Sequence, residues 1–327
     1  MSKPFRFSLQ SFNTDSPANW RKLIAKTEDL GYSTFFLADH FLSEGPALEG
    51  TYHPPQLLAS MPAIAMALEQ TSILRVGCRV FCNDYRHPVI MAKEAATMDY
   101  LSEGRLEFGL GAGWIKDEYE AAGFKFDEFP QRFERFTESV HAYKAFMSGE
   151  LMEISGENIN WSGFSGIPGP TQRPWPPLMI GGGSKRILEF AGREADIISL
   201  NFNNRAGVLG PDGMSSGLAE ATSKKINWIR NGAGNRFDDI ELEIGAYTTI
   251  VTDHPEPTAQ AIGEALGMSA ENILEHPHCL IGSVDWICDE LIRRRELYGI
   301  SYVCVMDDGE NNMVDAFAPV VARLTGK

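Results

Sequence analysis

The stretch Leu101-Ser-Glu-Gly-Arg-Leu-Glu-Phe-Gly-Leu-Gly-Ala-Gly-Trp114 decides the fold of this chain. Residues 94–101 have helical spacing. Over 105–110, Leu106, Phe108 and Leu110 alternate with Glu107 and Gly109, as in a short buried strand. The unit is therefore helix, tight turn, strand, glycine platform. A strand end stripped of side chains lets a flat ligand approach the backbone, and Trp114 supplies a wall for it. The same glycines also suit simple relief of crowding where strands converge inside a barrel. Other strand ends have to decide between the two.

Working outward, alternation or near-continuous apolar runs predict further strands at 5–12, 33–38, 74–81, 178–180, 196–200, 242–251 and 301–306. Helices fall between several of them. Ser16-Pro17 reads as an N-cap with proline at the first helical position, and Gly31 as the closing cap. Residues 57–68 have helical spacing, with Pro62 marking a kink or the true start. Helices are also predicted over 89–101, 132–147, 185–191 and 317–324. Parallel strands buried on both faces, with helical crossovers and no break in composition, predict one (β/α)8 TIM barrel with insertions, spanning residues 1–327 as a single domain. The segments 42–55 and 148–177 carry no usable period and are expected to shape a substrate pocket.

The 327 residues are 43% hydrophobic and 22% charged, with a formal net charge of −15. Such a surface repels nucleic acid and anionic lipid, so neither is expected as a partner. No run of 18 apolar residues occurs and the N-terminus has no charged-then-apolar pattern, so the expectation is a cytoplasmic protein without a membrane span. The five cysteines include no Cys-x-x-Cys and read as reduced core residues. His53, His87, His141, His254, His276 and His278 have no metal-ligand spacing, and no metal is expected.

In a (β/α)8 barrel the site lies at the C-terminal strand ends. Those ends read Asp39-His40, Phe81-Cys82-Asn83, Gly111 to Trp114, Gly181 to Ser184, and Asn201. His40 beside Asp39 has the chemistry of a proton donor or acceptor, although a lone histidine there also suits a structural bond. Gly181-Gly182-Gly183-Ser184 lies between a strand and a helix, with Lys185 and Arg186 just beyond. Exposed amides there suit a phosphate, and three glycines exceed what a turn needs. The spacing is not that of a Walker loop. Gly109-x-Gly111-x-Gly113 lacks the offset of a dinucleotide fingerprint, and no Gly-x-Ser-x-Gly elbow supports acyl transfer.

Taken together, Leu37-Ala-Asp-His-Phe41, Arg86-His-Pro88 with Ala92-Lys-Glu-Ala-Ala-Thr-Met98, the 101–114 stretch, Glu118-Tyr119, Ile180-Gly-Gly-Gly-Ser184 and Ala191-Gly-Arg-Glu-Ala-Asp196 resemble the bacterial-luciferase-like superfamily. The pattern Gly111-Ala-Gly-Trp-x-x-x-Glu118-Tyr119 is most similar to the branch using the deazaflavin coenzyme F420. The resemblance implies a TIM barrel with a cofactor ring over the strand ends. It also implies a non-prolyl cis peptide at Arg79–Val80 beneath that ring. Cofactor-binding positions map onto Arg79, Val80, Cys82, Gly111, Ala112, Gly113, Glu118, Gly181, Gly182, Gly183 and Ser184, and catalytic ones onto His40, Asp39 and Trp114. Cys82 departs from the hydrogen-bonding residue that relatives often place there. The implied activity is F420-dependent hydride transfer to or from a small organic substrate. The alternatives are an FMN-dependent monooxygenase, which would need a flavin reductase as partner, and a catalytically silent flavin-binding protein. A homodimer is compatible with each.

Overall fold

Eight strands close into a parallel barrel in sequence order: β1 Arg6–Ser11, β2 Thr34–Leu37, β3 Arg75–Cys82, β4 Leu106–Gly111, β5 Leu178–Gly182, β6 Ile197–Leu200, β7 Glu241–Ala246 and β8 Ile300–Asp307. The computed structural model describes residues 3–41, 43–49, 51, 53–204, 207, 211–307 and 312–327. Leu42, Gly50 and Tyr52 of the 42–55 segment lie outside the described residues.

The alternation in β1 runs opposite to a simple apolar-inside rule. Phe7 and Leu9 join the main core, with Phe7 against Phe317, while Arg6 reaches Glu107 on β4. A smaller apolar cluster joins Phe36, Met179, Ile197, Tyr302 and Cys304 from four different strands. Arg6 also binds Glu241, and Arg79 donates to Glu243 at 2.8 Å. A parallel barrel tolerates such buried charges only because they are paired across strands. Below β1, Phe5 forms a bridge with Thr325, which brings the two ends of the chain together away from the strand C-termini.

Local signals determine the helix ends. Ser16 Oγ accepts from the Asn19 amide at 3.1 Å, and Gly31 takes φ +80° after the helix Pro17–Asp29. The helix after 42–55 begins at Ser60, so Pro62 lies in its first turn and does not kink its middle. All five cysteines are buried and free.

Two predicted features differ in the structure. The run 242–251 is two strands, because the chain leaves the barrel at Tyr247. The Tyr247 hydroxyl donates to Asn201 and accepts from Arg79, and Thr248–Val251 then pairs in parallel with Cys279–Gly282. The segment 148–177 holds an antiparallel hairpin, Leu151–Ser155 with Asn160–Ser165, and no residue of it lines the cavity at the strand ends. It is tied to the opposite end of the barrel. The Gln172 amide nitrogens reach Asp99 and the Leu106 carbonyl at the start of β4. That segment therefore does not shape the pocket.

Candidate active site

A cavity of about 700 Å³ opens at the C-terminal ends of β2 to β6. Asp39, His40, Arg79, Val80, Cys82, Gly111, Ala112, Gly113, Trp114 and Gly181 through Ser184 all line it. Of the catalytic and cofactor-binding positions mapped from the sequence, Glu118 alone stands away from its wall.

The floor is built around Val80. The Arg79–Val80 peptide is cis, and the pairing of β3 with β4 slips between Cys78 and Phe81. The Val80 side chain occupies the room left by glycines on two neighbouring strands. A Cβ on Gly111 would lie 2.6 Å from Val80 Cγ2, and one on Gly109 would lie 2.2 Å from the Cys78 carbonyl. These two glycines relieve crowding. Gly181 differs, since a Cβ there would meet Val80 at 3.4 Å, an ordinary contact, so crowding does not require this glycine.

The triple glycine divides in the same way. A Cβ on Gly182 would meet Ile187 at 2.3 Å, and one on Gly183 would meet the Phe202 carbonyl at 2.2 Å. Packing therefore accounts for two of the three glycines. Beyond them, Ser184 Oγ and Asn204 Oδ1 are buried in the cavity wall without hydrogen-bond partners. Arg186 lines the cavity and lies over the Phe133 ring at 4.3 Å. Lys185 stands outside it, 3.6 Å from Glu189.

Beneath the floor, Arg79 is buried among Glu243, Gln10 and Tyr247, and its Nη2 has no partner. Burial pushes the Glu243 carboxyl up against the opposing pull of Arg79. Arg132, from the helix Phe129–Ser148, donates to the Ala112 and Gly113 carbonyls and so holds the glycine platform in place.

On the wall, Asp39 is not free for proton transfer. Its carboxylate accepts from both Arg86 nitrogens at 2.6 and 2.8 Å, from Ser60 Oγ at 2.6 Å and from the Cys82 amide at 2.9 Å. It anchors the end of β2 to the end of β3. Cys82 places its sulfur 3.0 Å from the Tyr119 hydroxyl, and burial raises its thiol well above the usual range.

His40 faces the cavity with Nδ1 2.7 Å from Glu118 Oε2. Glu118 is fully buried, and its oxygens also accept from the Phe41 amide and the Tyr85 hydroxyl. A carboxylate so occupied cannot contact a ligand in the cavity, which corrects the cofactor-binding assignment made from the sequence. The imidazole of His53 packs 4.1 Å from that of His40, and both lie about 6 Å from the Trp114 ring (6.0 and 6.1 Å). Burial and the neighbouring His40 hold His53 well below the usual histidine range. His53 and Arg132 are absent from the sequence-derived set.

A closed parallel barrel with glycine backbone, unpartnered polar atoms and a held histidine around a cavity at its strand ends has the architecture of a barrel enzyme. The chain belongs to the luciferase-like monooxygenase family, whose model matches residues 3–266. An F420-dependent glucose-6-phosphate dehydrogenase from Amycolatopsis mediterranei (strain U-32) is 29% identical over 292 residues, covering 88% of this chain and 80% of that protein. An FMNH(2)-dependent dimethylsulfone monooxygenase from Pseudomonas putida is 30% identical over 121 residues, 37% of this chain and 33% of its own length. Among solved structures, the coenzyme F420 dependent tetrahydromethanopterin reductase from Methanopyrus kandleri shares the fold. Its TM-score is 0.73 over 99% of both chains, at 19% identity.

Proposed function

We propose that this chain is an F420-dependent oxidoreductase that moves a hydride between the deazaflavin and a small organic substrate. The observation that carries the proposal is the glycine-floored cavity with His40 on its wall. Hydride exchange needs a flat ring laid against backbone and a proton-handling group within reach. The deazaflavin is preferred to FMN because the F420-dependent relative aligns over 88% of the chain and the FMNH(2)-dependent one over 37%.

The residues present fit such a group. Val80, Gly111 and Ala112 would underlie the ring, and Gly181 to Ser184 with Arg186 would hold the phosphate-bearing end. Ser184 Oγ and Asn204 Oδ1 are buried there with hydrogen-bonding capacity to spare. When bound, the deazaflavin supplies hydride transfer. His40 gives or takes the proton that accompanies it, and Trp114 with His53 confines that imidazole to one orientation. Asp39, by tying β2 to β3, holds the strand end that carries His40.

The test is a fluorescence titration of the purified protein with F420 and with FMN, followed by anaerobic assay. Binding of F420 at least about tenfold tighter than FMN, with turnover independent of oxygen, is expected. Micromolar FMN binding without F420 binding, together with oxygen-dependent turnover, would assign the monooxygenase reaction and a reductase partner instead. Binding with no turnover under either condition would leave a flavin-binding protein.

A further inference from the structure

We propose that Glu118 is a positioning residue for His40: its buried carboxylate keeps a proton on Nδ1 of the imidazole and leaves Nε2 as the nitrogen offered to the cavity. That Nε2 then exchanges a proton with substrate rests on the function proposed above. The placement of the proton on the ring does not.

Three groups converge on Glu118. The Phe41 amide donates to Oε1 at 2.8 Å, the Tyr85 hydroxyl donates to Oε2 at 2.6 Å, and His40 Nδ1 lies 2.7 Å from the same Oε2. An ionised carboxylate only accepts, so the imidazole nitrogen facing it must carry hydrogen. Tyr85 cannot reverse the polarity of this cluster. Burial and its negative neighbours push its phenol far up, so it stays a donor. The ring is also flanked by the imidazole of His53 at 4.1 Å and by the Trp114 ring, nearly perpendicular to it at 6.1 Å.

The local sequence explains the delivery. The glycine platform ends in Trp114, and the helix Lys116–Ala121 starts two residues later, so one turn supplies both the wall residue Trp114 and the carboxylate behind His40. Glu118 itself is fully buried and does not line the cavity. Its influence on a ligand therefore passes through His40.

The experiment begins without cofactor. Protein labelled with [15N]histidine reports the tautomer of neutral His40 through its ring-nitrogen shifts, with the signal assigned by its loss in His40→Ala. Wild-type protein is expected to show Nδ1–H with a bare Nε2. Tyr85→Phe should keep that tautomer, because Oε2 still accepts from His40. Glu118→Gln, whose amide can also donate, should lose the bias. In turnover assays Glu118→Gln should lower kcat by about 10²-fold, with KM and cofactor Kd held within about threefold.

A wild-type His40 protonated on Nε2, or a tautomer unchanged in Glu118→Gln, would overturn the proposal. If Glu118→Gln does not fold, the wild-type and Tyr85→Phe spectra still decide the tautomer. The expected spectra combined with full turnover in His40→Ala would support the positioning role and overturn the proton-transfer role assigned to His40 above.

Discussion

At the scale of single residues, His40 is where the chemistry is most exposed to test. His40→Ala is expected to leave cofactor affinity within about threefold and to lower turnover by about 10²-fold or more, as for loss of a proton-transfer group. Steady-state kinetics beside a cofactor titration separates the two effects, and unchanged turnover would return His40 to a structural role. His40 is legible in the sequence because it follows a strand directly, and barrel strands end at the site. Its pairing with Glu118 is not, because 78 residues separate the two and no spacing rule spans two different crossovers. Asp39 illustrates a different limit. Its position at the mouth can be read, but that its carboxylate is consumed by Arg86, Ser60 and the Cys82 amide depends on side-chain directions in three dimensions. His53 arrives on a segment without periodicity. Arg132 is visible as an arginine opening an apolar helix, a pattern that marks it as unusual without revealing that it grips the Ala112 and Gly113 carbonyls.

At the scale of elements, β3, β4 and β5 interlock through one isopropyl group. Gly111→Ala is expected to destabilise the protein by about 1–3 kcal/mol, because the new methyl meets Val80 Cγ2, which is held close to the backbone and cannot swing away. Val80→Ala in the same chain should recover part of that loss, with a coupling of about 0.5 kcal/mol or more in a denaturation double-mutant cycle. Additive effects would show that the floor is not packed as described. All eight barrel strands are legible, since short apolar alternation ending in glycine or small polar residues recurs at each crossover. Breaks within a run are harder. The segment 242–251 keeps its alternation through Tyr247, and only the demand of Arg79 and Asn201 on that hydroxyl shows where it leaves the barrel. The hairpin in 148–177 was hidden by its proline and glycine content. The helix Val284–Tyr298 carries its signal at its ends, outside any apolar period: Ser283 Oγ accepts from the Trp286 amide, and Gly299 closes the other end at φ +76°.

For the molecule as a whole, histidines buried in the neutral form set an acid limit on stability. Burial, followed by the charges of His276 and Lys225, holds His278 well below the usual histidine range, while its Nδ1 donates to the Gly245 carbonyl at 2.8 Å. Below about pH 6.5 the unfolded chain takes up a proton that the folded chain refuses. Stability is therefore complete above that pH and declines as the pH falls, by up to about 1.4 kcal/mol per unit for this one group. Urea titrations at pH 6.5 and 5.5 should show a smaller decline in His278→Asn than in wild type, and equal declines would remove His278 from the acid response. The fold class is the feature most fully legible at this scale, because crossovers between parallel strands admit few closures. The meeting of the chain ends is not, as it depends on how the last turn packs beneath β1. That meeting has a practical consequence. Because Phe5 pairs with Thr325 at the end of the barrel away from the cavity, an affinity tag, fluorophore or electrode linker joined through either end emerges on the far face. Molecules attached to a surface in this way would all present their mouths outward, and joining residues 5 and 325 through a short linker would allow the chain to be reopened elsewhere in its circuit.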